Sequence, residues 1–244
     1  MSMKSCAAIL LSLLLCACAA KPEAASAPPP AAAAKKAVAA DALVRRADDL
    51  VSSKKHAQAL PLLDEAIAQY ERAYRQPGVL VYSARSGPET LAYALNGHKK
   101  NTPARVYGAE WGRAYFLRGF ALVDLHRIPE AKAAYDAAIA LSPRNSQYLS
   151  ERGHILALER DWPGSLQAFD EALRAVELTP PALHTGEQAR ALRGMAFAQV
   201  ELGNLDAAKA LHERVLRIEP ANPISLNELR YIRDLEAKRR PSAR

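Results

Sequence analysis

Cysteine is confined to the start of the chain: Cys6, Cys16 and Cys18 are its only three among 244 residues. Nothing after Cys18 can form a disulfide with anything else in the chain, so the fold must be held by its core. Phenylalanine, tryptophan and glycine are scarce, at 4, 2 and 11 residues. Alanine and leucine dominate instead, which favours helix over strand and predicts an all-α protein. No apolar run approaches the about 20 residues that a membrane-spanning helix needs. A Gly-rich phosphate loop, a His-Glu-x-x-His pair and a Gly-x-Ser-x-Gly elbow are all missing, so the motifs point to no catalytic residue and no cofactor. The six histidines are spread along the chain without the three or four converging ligands that a metal site requires, and none is expected to hold one.

What the first residues do contain is one positive charge, Lys4, followed by a short apolar run from Ala7 to Leu15. This is the pattern of an export signal over residues 1–17. Leu15-Cys16-Ala17-Cys18 resembles the bacterial lipobox, which implies cleavage before Cys18 and a lipid on that cysteine. The alternative is an ordinary signal peptide cut between Ala17 and Ala20. The lipobox reading implies a periplasm-facing lipoprotein of the bacterial cell envelope, and Ala19 after the modified cysteine favours sorting to the outer membrane. Residues 18–40 are rich in Ala, Pro and Lys, with Pro22, Pro28, Pro29 and Pro30, and read as a lipid-anchored linker.

Removing Lys4 with the signal leaves 32 basic residues against 26 acidic, a net charge of +6. The excess lies along helices and in a basic tail, 239–244, and is read as a solvated surface, not a nucleic-acid site.

The main signal is a repeat. Gly119, Ala131, Tyr135, Ala138 and Pro143 open a frame that Gly153, Ser165, Phe169 and Ala172 restate about 34 residues later. A third copy is Ala196, Ala208, His212, Val215 and Pro220, and a weaker one is Ala47, Ala59, Leu63 and Ala66. With Arg118-Gly119-Phe120-Ala121-Leu122, Glu130-Ala131-Lys132-Ala133-Ala134-Tyr135 and Ala138-Ile139-Ala140-Leu141-Ser142-Pro143, this resembles the tetratricopeptide-repeat (TPR) family. The resemblance implies an all-α TPR helical solenoid over 41–238, with repeats near 40–73, 112–145, 146–179 and 189–222. Each unit is two short amphipathic helices that bury their apolar stripes only by stacking. Gly119, Gly153 and Ala196 are expected where a neighbouring backbone comes close, with Tyr135 and Phe169 filling the layer between helices. Residues 223–238 are expected to form a capping helix with Leu226, Leu229 and Ile232 inward.

Two stretches interrupt the array. Pro180 to Gln188, with Pro180-Pro181 and Thr185-Gly186, is expected to be a loop. The larger insertion, 74–111, has extended-looking segments at Val79–Ser83 and Arg105–Tyr107 around a short helix near Pro88–Leu95. Whether it is a lid, a hairpin or a distorted repeat is left open.

By the resemblance, the first helix of each repeat lines a concave groove. The positions falling there include Arg113, Phe116, Phe120, Gln147, His154, Arg190, Arg193 and Phe197, an aromatic and guanidinium pattern suited to a peptide. The other reading of the three Phe rings is packing between helices. Some relatives clamp a terminal carboxylate with Lys and Asn, but here those places hold Phe116 and Phe120, or Ser150 and His154. Three functions follow in order: a non-enzymatic scaffold for envelope proteins or peptides, a self-associating envelope spacer, and an enzyme using Ser83, Ser86 or Glu89 of the insertion.

Overall fold

The computed structural model describes residues 31–239, as ten α-helices, one short 3-10 turn (Val176–Leu178) and two short strands. The signal, Cys18 and all but the first residue of the basic tail lie outside the described residues. Four helix pairs follow one another: α1 (Ala31–Ser52) with α2 (His56–Tyr74), α4 (Glu110–Asp124) with α5 (Ile128–Leu141), α6 (Ser146–Leu158) with α7 (Trp162–Ala175), and α8 (Pro181–Glu201) with α9 (Leu205–Ile218). A last helix, α10 (Pro223–Arg239), closes the described part. Helix α1 begins at Ala31, inside the 18–40 stretch read as linker, and Ala40 is fully buried. Its alanines suit a helix as well as they suit a tether.

The four first helices end alike. Lys54, His126, Arg160 and Gly203 each take a positive φ, between 57° and 81°. In each case the next amide reaches back five residues, as Arg127 N does to the Leu122 carbonyl at 2.9 Å and Asp161 N to that of Leu156 at 2.9 Å. This left-handed cap satisfies the last carbonyls and reverses the chain into the second helix. Asn145 caps α6 and Asp161 caps α7 through side-chain oxygens, while Pro143 and Pro220 follow the ends of α5 and α9.

The layer between helices is set by rings against glycine. A Cβ added to Gly119 would lie 2.6 Å from the Tyr135 ring, and one on Gly153 would lie 2.9 Å from that of Phe169. It is therefore an aromatic ring, not a backbone, that the small residue admits. Phe169 also fills the space beside Gly194 of the next repeat.

The insertion is a βαβ unit. Strand β1 (Leu80–Ser83) and strand β2 (Ala104–Tyr107) pair in parallel, Leu80 opposite Ala104, with α3 (Gly87–Lys99) as the crossover. A parallel pair cannot be joined by a tight turn, which is why a helix intervenes and a hairpin is excluded. Tyr82 and Tyr93 stack at 5.3 Å in its own small core. Tyr107 stacks on Tyr74 at 3.8 Å and Trp111 is buried, which fixes the unit to the first repeat.

Two expectations are corrected. Pro180–Gln188 is not a loop, because Pro181 opens α8 at a position that needs no N–H, and the helix runs through Thr185 and Gly186. In α10, Leu226 is exposed at 44%, while Ser225 and Ile232 are the fully buried residues. Asn222 caps the helix by accepting from Ser225 N at 2.9 Å, and this orients the turn so that 225, 229 and 232 face inward.

Candidate functional site

The structure separates the residues assigned to the groove into four groups. Arg113 on α4 is spent in an ion pair with Asp48 of α1 at 2.7 Å. Phe116 is packing: it is half-buried and stacks on Tyr148 at 5.2 Å. Phe120, His154 and Phe197 hold the same place in three successive first helices and are open to solvent, the two phenylalanines at 43% and 47%. Each ring rests by one side on the stack: Phe120 beside His56 at 6.0 Å, His154 edge-on to Phe169 at 4.9 Å, and Phe197 edge-on to Trp162 at 5.9 Å. Desolvation in this crowded face, with Arg190 and Arg193 close by, lowers the pKa of His154 and favours its neutral form.

Gln147, Arg190 and Arg193 come together in a cleft of about 410 Å³. Its walls are the start of α6, the turn holding Glu219 and Asn222, and one side of α8, which supplies Leu183, Gly186, Glu187, Arg190 and Arg193. Arg190 gives Nη1 to Glu151 at 2.8 Å. Arg193 has Glu219 at 3.8 Å, an ion pair too long for a hydrogen bond. Burial lowers the pKa of its guanidinium against the pull of Glu219, and Arg190 adds to the lowering.

Glu187 is held from behind by the insertion. Arg85 places Nη1 and Nη2 at 2.5 and 2.9 Å from its two oxygens, and Thr179 donates to it at 2.8 Å. The same guanidinium reaches Glu89 through Nε at 3.0 Å, where Arg85 N also donates at 2.8 Å. Through this bidentate, shared geometry the insertion is joined to the repeats by a charged contact. Composition and spacing gave no sign of it, since Arg85 and Glu187 are far apart in sequence.

The serines of the insertion are structural. Ser83 is buried, donates to the Gly108 carbonyl at 2.7 Å and accepts from Gly112 N at 3.1 Å. Ser142 donates to the Ser83 carbonyl at 2.6 Å. Ser86 caps α3 and donates to the Leu178 carbonyl at 2.8 Å, and Glu89 is fully buried on Arg85. The three residues of the enzymatic alternative are thus engaged in holding the insertion. Among the described residues, no group of three or more His, Cys, Asp or Glu is placed to hold a metal ion. No helix among them is long and apolar enough to cross a membrane.

A tetratricopeptide-repeat family model matches residues 112–145, the α4–α5 pair. Protein FlbA of Caulobacter vibrioides is 32% identical over 113 residues, 46% of this chain but 17% of its own length. The chain thus spans less than a fifth of that curated relative. Among solved structures, Pseudomonas aeruginosa pilF superposes with a TM-score of 0.58 at 16% identity, covering 84% of this chain and 72% of its own. MamA of Desulfovibrio magneticus RS-1 does so at 0.53 and 14% identity, over 81% and 86%. These likenesses show the fold. The chain is a TPR-like helical stack with a two-stranded insertion.

Proposed function

We propose that this protein is a non-enzymatic scaffold that holds a segment of a partner protein along the face lined by Phe120, His154 and Phe197. The observation that carries the reading is the repetition: three successive repeats leave a ring open to solvent at the same place. Rings that cover no core of their own offer contact area at little entropic cost. The partners are envelope proteins or peptides, and the protein faces the periplasm from a lipid on Cys18, most simply at the outer membrane. Supporting this are the signal pattern and the lipobox-like residues.

Crosslinked capture from the native envelope tests it. A partner recovered with the intact protein is expected to be lost with Phe120→Ala/Phe197→Ala, whose melting temperature should stay within a few degrees because both side chains are surface groups. Equal recovery by both proteins would remove the reading. Cys18→Ser is expected to move the protein from the membrane to the soluble fraction; retention in the membrane would remove the anchor.

One observation favours the self-associating spacer. Helix α10 exposes Ile224 and Tyr231 on one flank and Leu226 on the other at the end of the described stack, where a second copy would continue it. A mass that rises with concentration and falls on Leu226→Lys/Tyr231→Lys would support that reading, and a constant monomer mass would exclude it.

A further inference from the structure

The cleft enlarges the repeated groove, to which Gln147, Arg190 and Arg193 belong. Leu183, Gly186 and Glu187 come from the opening turns of α8, ahead of the repeat at 189–222, so the extension that replaces the expected loop creates the cavity. Its polar groups are unevenly occupied. Glu187 has both oxygens bound by Arg85 and one of them also by Thr179. Glu219 accepts from Asn222 Nδ2 at 2.6 Å. On the other side, Arg193 is half-buried with no hydrogen bond to its guanidinium among the described residues, and its only ion pair is the 3.8 Å one. The Gln147 amide likewise has no hydrogen-bond partner among the described residues. A half-buried guanidinium whose N–H groups have no hydrogen-bond partner among the described residues suits an oxyanion, because it has given up part of its hydration and gains two charge-assisted bonds.

We propose that this cleft is a subsite for the side-chain carboxylate of an aspartate or glutamate within an extended partner segment, taken by Arg193 and Gln147 in competition with Glu219. Leu183, 47% exposed, supplies the apolar wall for the carbons beside that carboxylate. The choice of an internal side chain over a chain end follows from continuity. Gln147 and His154 share α6, and Arg193 and Phe197 share α8, so a segment lying on the exposed rings continues past the cleft. The inference rests on the scaffold reading above.

Gly186 makes the test clean. Gly186 lines the cleft and a Cβ added there meets nothing within 4 Å, so Gly186→Phe adds bulk at the cleft wall from a position that tolerates a side chain. The probes are two peptides acetylated and amidated at their ends, identical except for a central Glu or Gln between leucines, titrated by fluorescence anisotropy. The Glu peptide is expected to bind about tenfold or more tightly than the Gln peptide, the range for a charged hydrogen bond. The preference should vanish in Arg193→Gln and in Gly186→Phe, and grow in Glu219→Gln, where Arg193 loses its competitor. Equal binding of the two peptides, binding of neither, or a preference that survives Arg193→Gln overturns the subsite. If both peptides bind equally and Phe120→Ala/Phe197→Ala weakens both, the groove reading stands without the subsite. If the Glu preference holds while that double variant changes nothing, the subsite stands and the groove reading falls.

Discussion

The ring of Phe169 occupies the space that a side chain on Gly194 would fill: a methyl group there would overlap three of its ring carbons. Phe169 belongs to the second helix of one repeat and Gly194 to the first helix of the next, so this contact locks two units together. Ordinary helix propensity would reward Gly194→Ala by about 1 kcal/mol. The overlap is expected to reverse the sign and destabilise by about 1–3 kcal/mol. Gly186→Ala, in the same helix but facing open space, should stabilise by up to about 1 kcal/mol. Urea midpoints of the two variants, read at constant slope, check the contrast.

The left-handed caps give a second prediction. Lys54 and Arg160 adopt at φ 57° and 59° what Gly203 adopts at 81°. A side chain in that region costs about 1–2 kcal/mol, part of which glycine returns through the greater freedom of its unfolded chain. Arg160→Gly and Lys54→Gly should each gain about 0.5–1 kcal/mol and raise the melting temperature, and their effects should add because the turns are far apart in the stack.

Arg85 neutralises two buried carboxylates at once. Arg85→Met leaves Glu89 and Glu187 without their cation, and removing one partner of a buried pair costs about 3–5 kcal/mol. The loss should be larger at about pH 7 than at about pH 5, since burial raises the pKa of Glu89 and protonation removes its stranded charge. Denaturant unfolding at both pH values measures this. Limited proteolysis should find residues 74–111 cut faster in the variant.

His212 is buried, with Nδ1 3.2 Å from the Ser225 hydroxyl of α10. Burial and then Arg193 lower its pKa to about 4 from an ordinary 6.5. The unfolded chain therefore takes up a proton on this residue before the folded one does. The stability it protects is fully present above about pH 6.5 and is lost as pH falls towards 4. Subtracting the pH profile of His212→Gln from that of the parent isolates the contribution, and the difference should flatten below pH 4. A slope of the opposite sign would show His212 charged in the fold.

The repeat frame was open to reading because stacking demands the same few residue types at each turn. Gly119, Tyr135 and Ala138 recur as Gly153, Phe169 and Ala172, and these are the residues that fill the layer between helices. Three of the four caps were hidden, since a Lys, a His and an Arg stand where glycine would have announced the turn. The extension of α8 was also hidden: Thr185 and Gly186 read as loop residues, while the fold sets Pro181 at the helix start and holds Glu187 by Arg85 and Thr179. Among the groove residues, the repeat resemblance placed all eight on first helices, where they lie. It did not distinguish Phe116, which packs on Tyr148, from Phe120, which faces water.

The sequence by itself determined what depends on local period and composition. That covers an all-α stack of helix pairs, the places where rings meet small residues, the absence of disulfide chemistry after Cys18, and the two points where the array is interrupted. Tertiary structure alone decided how the interruptions are used. The 74–111 segment becomes a βαβ unit because its strands find each other across a helix, and its Arg85 meets Glu187 across about a hundred residues of chain. The cleft exists only where α6, α8 and the α9–α10 turn converge. Such pairings join residues with no local relation, so no spacing records them, and only the packed fold brings their charges within hydrogen-bond reach.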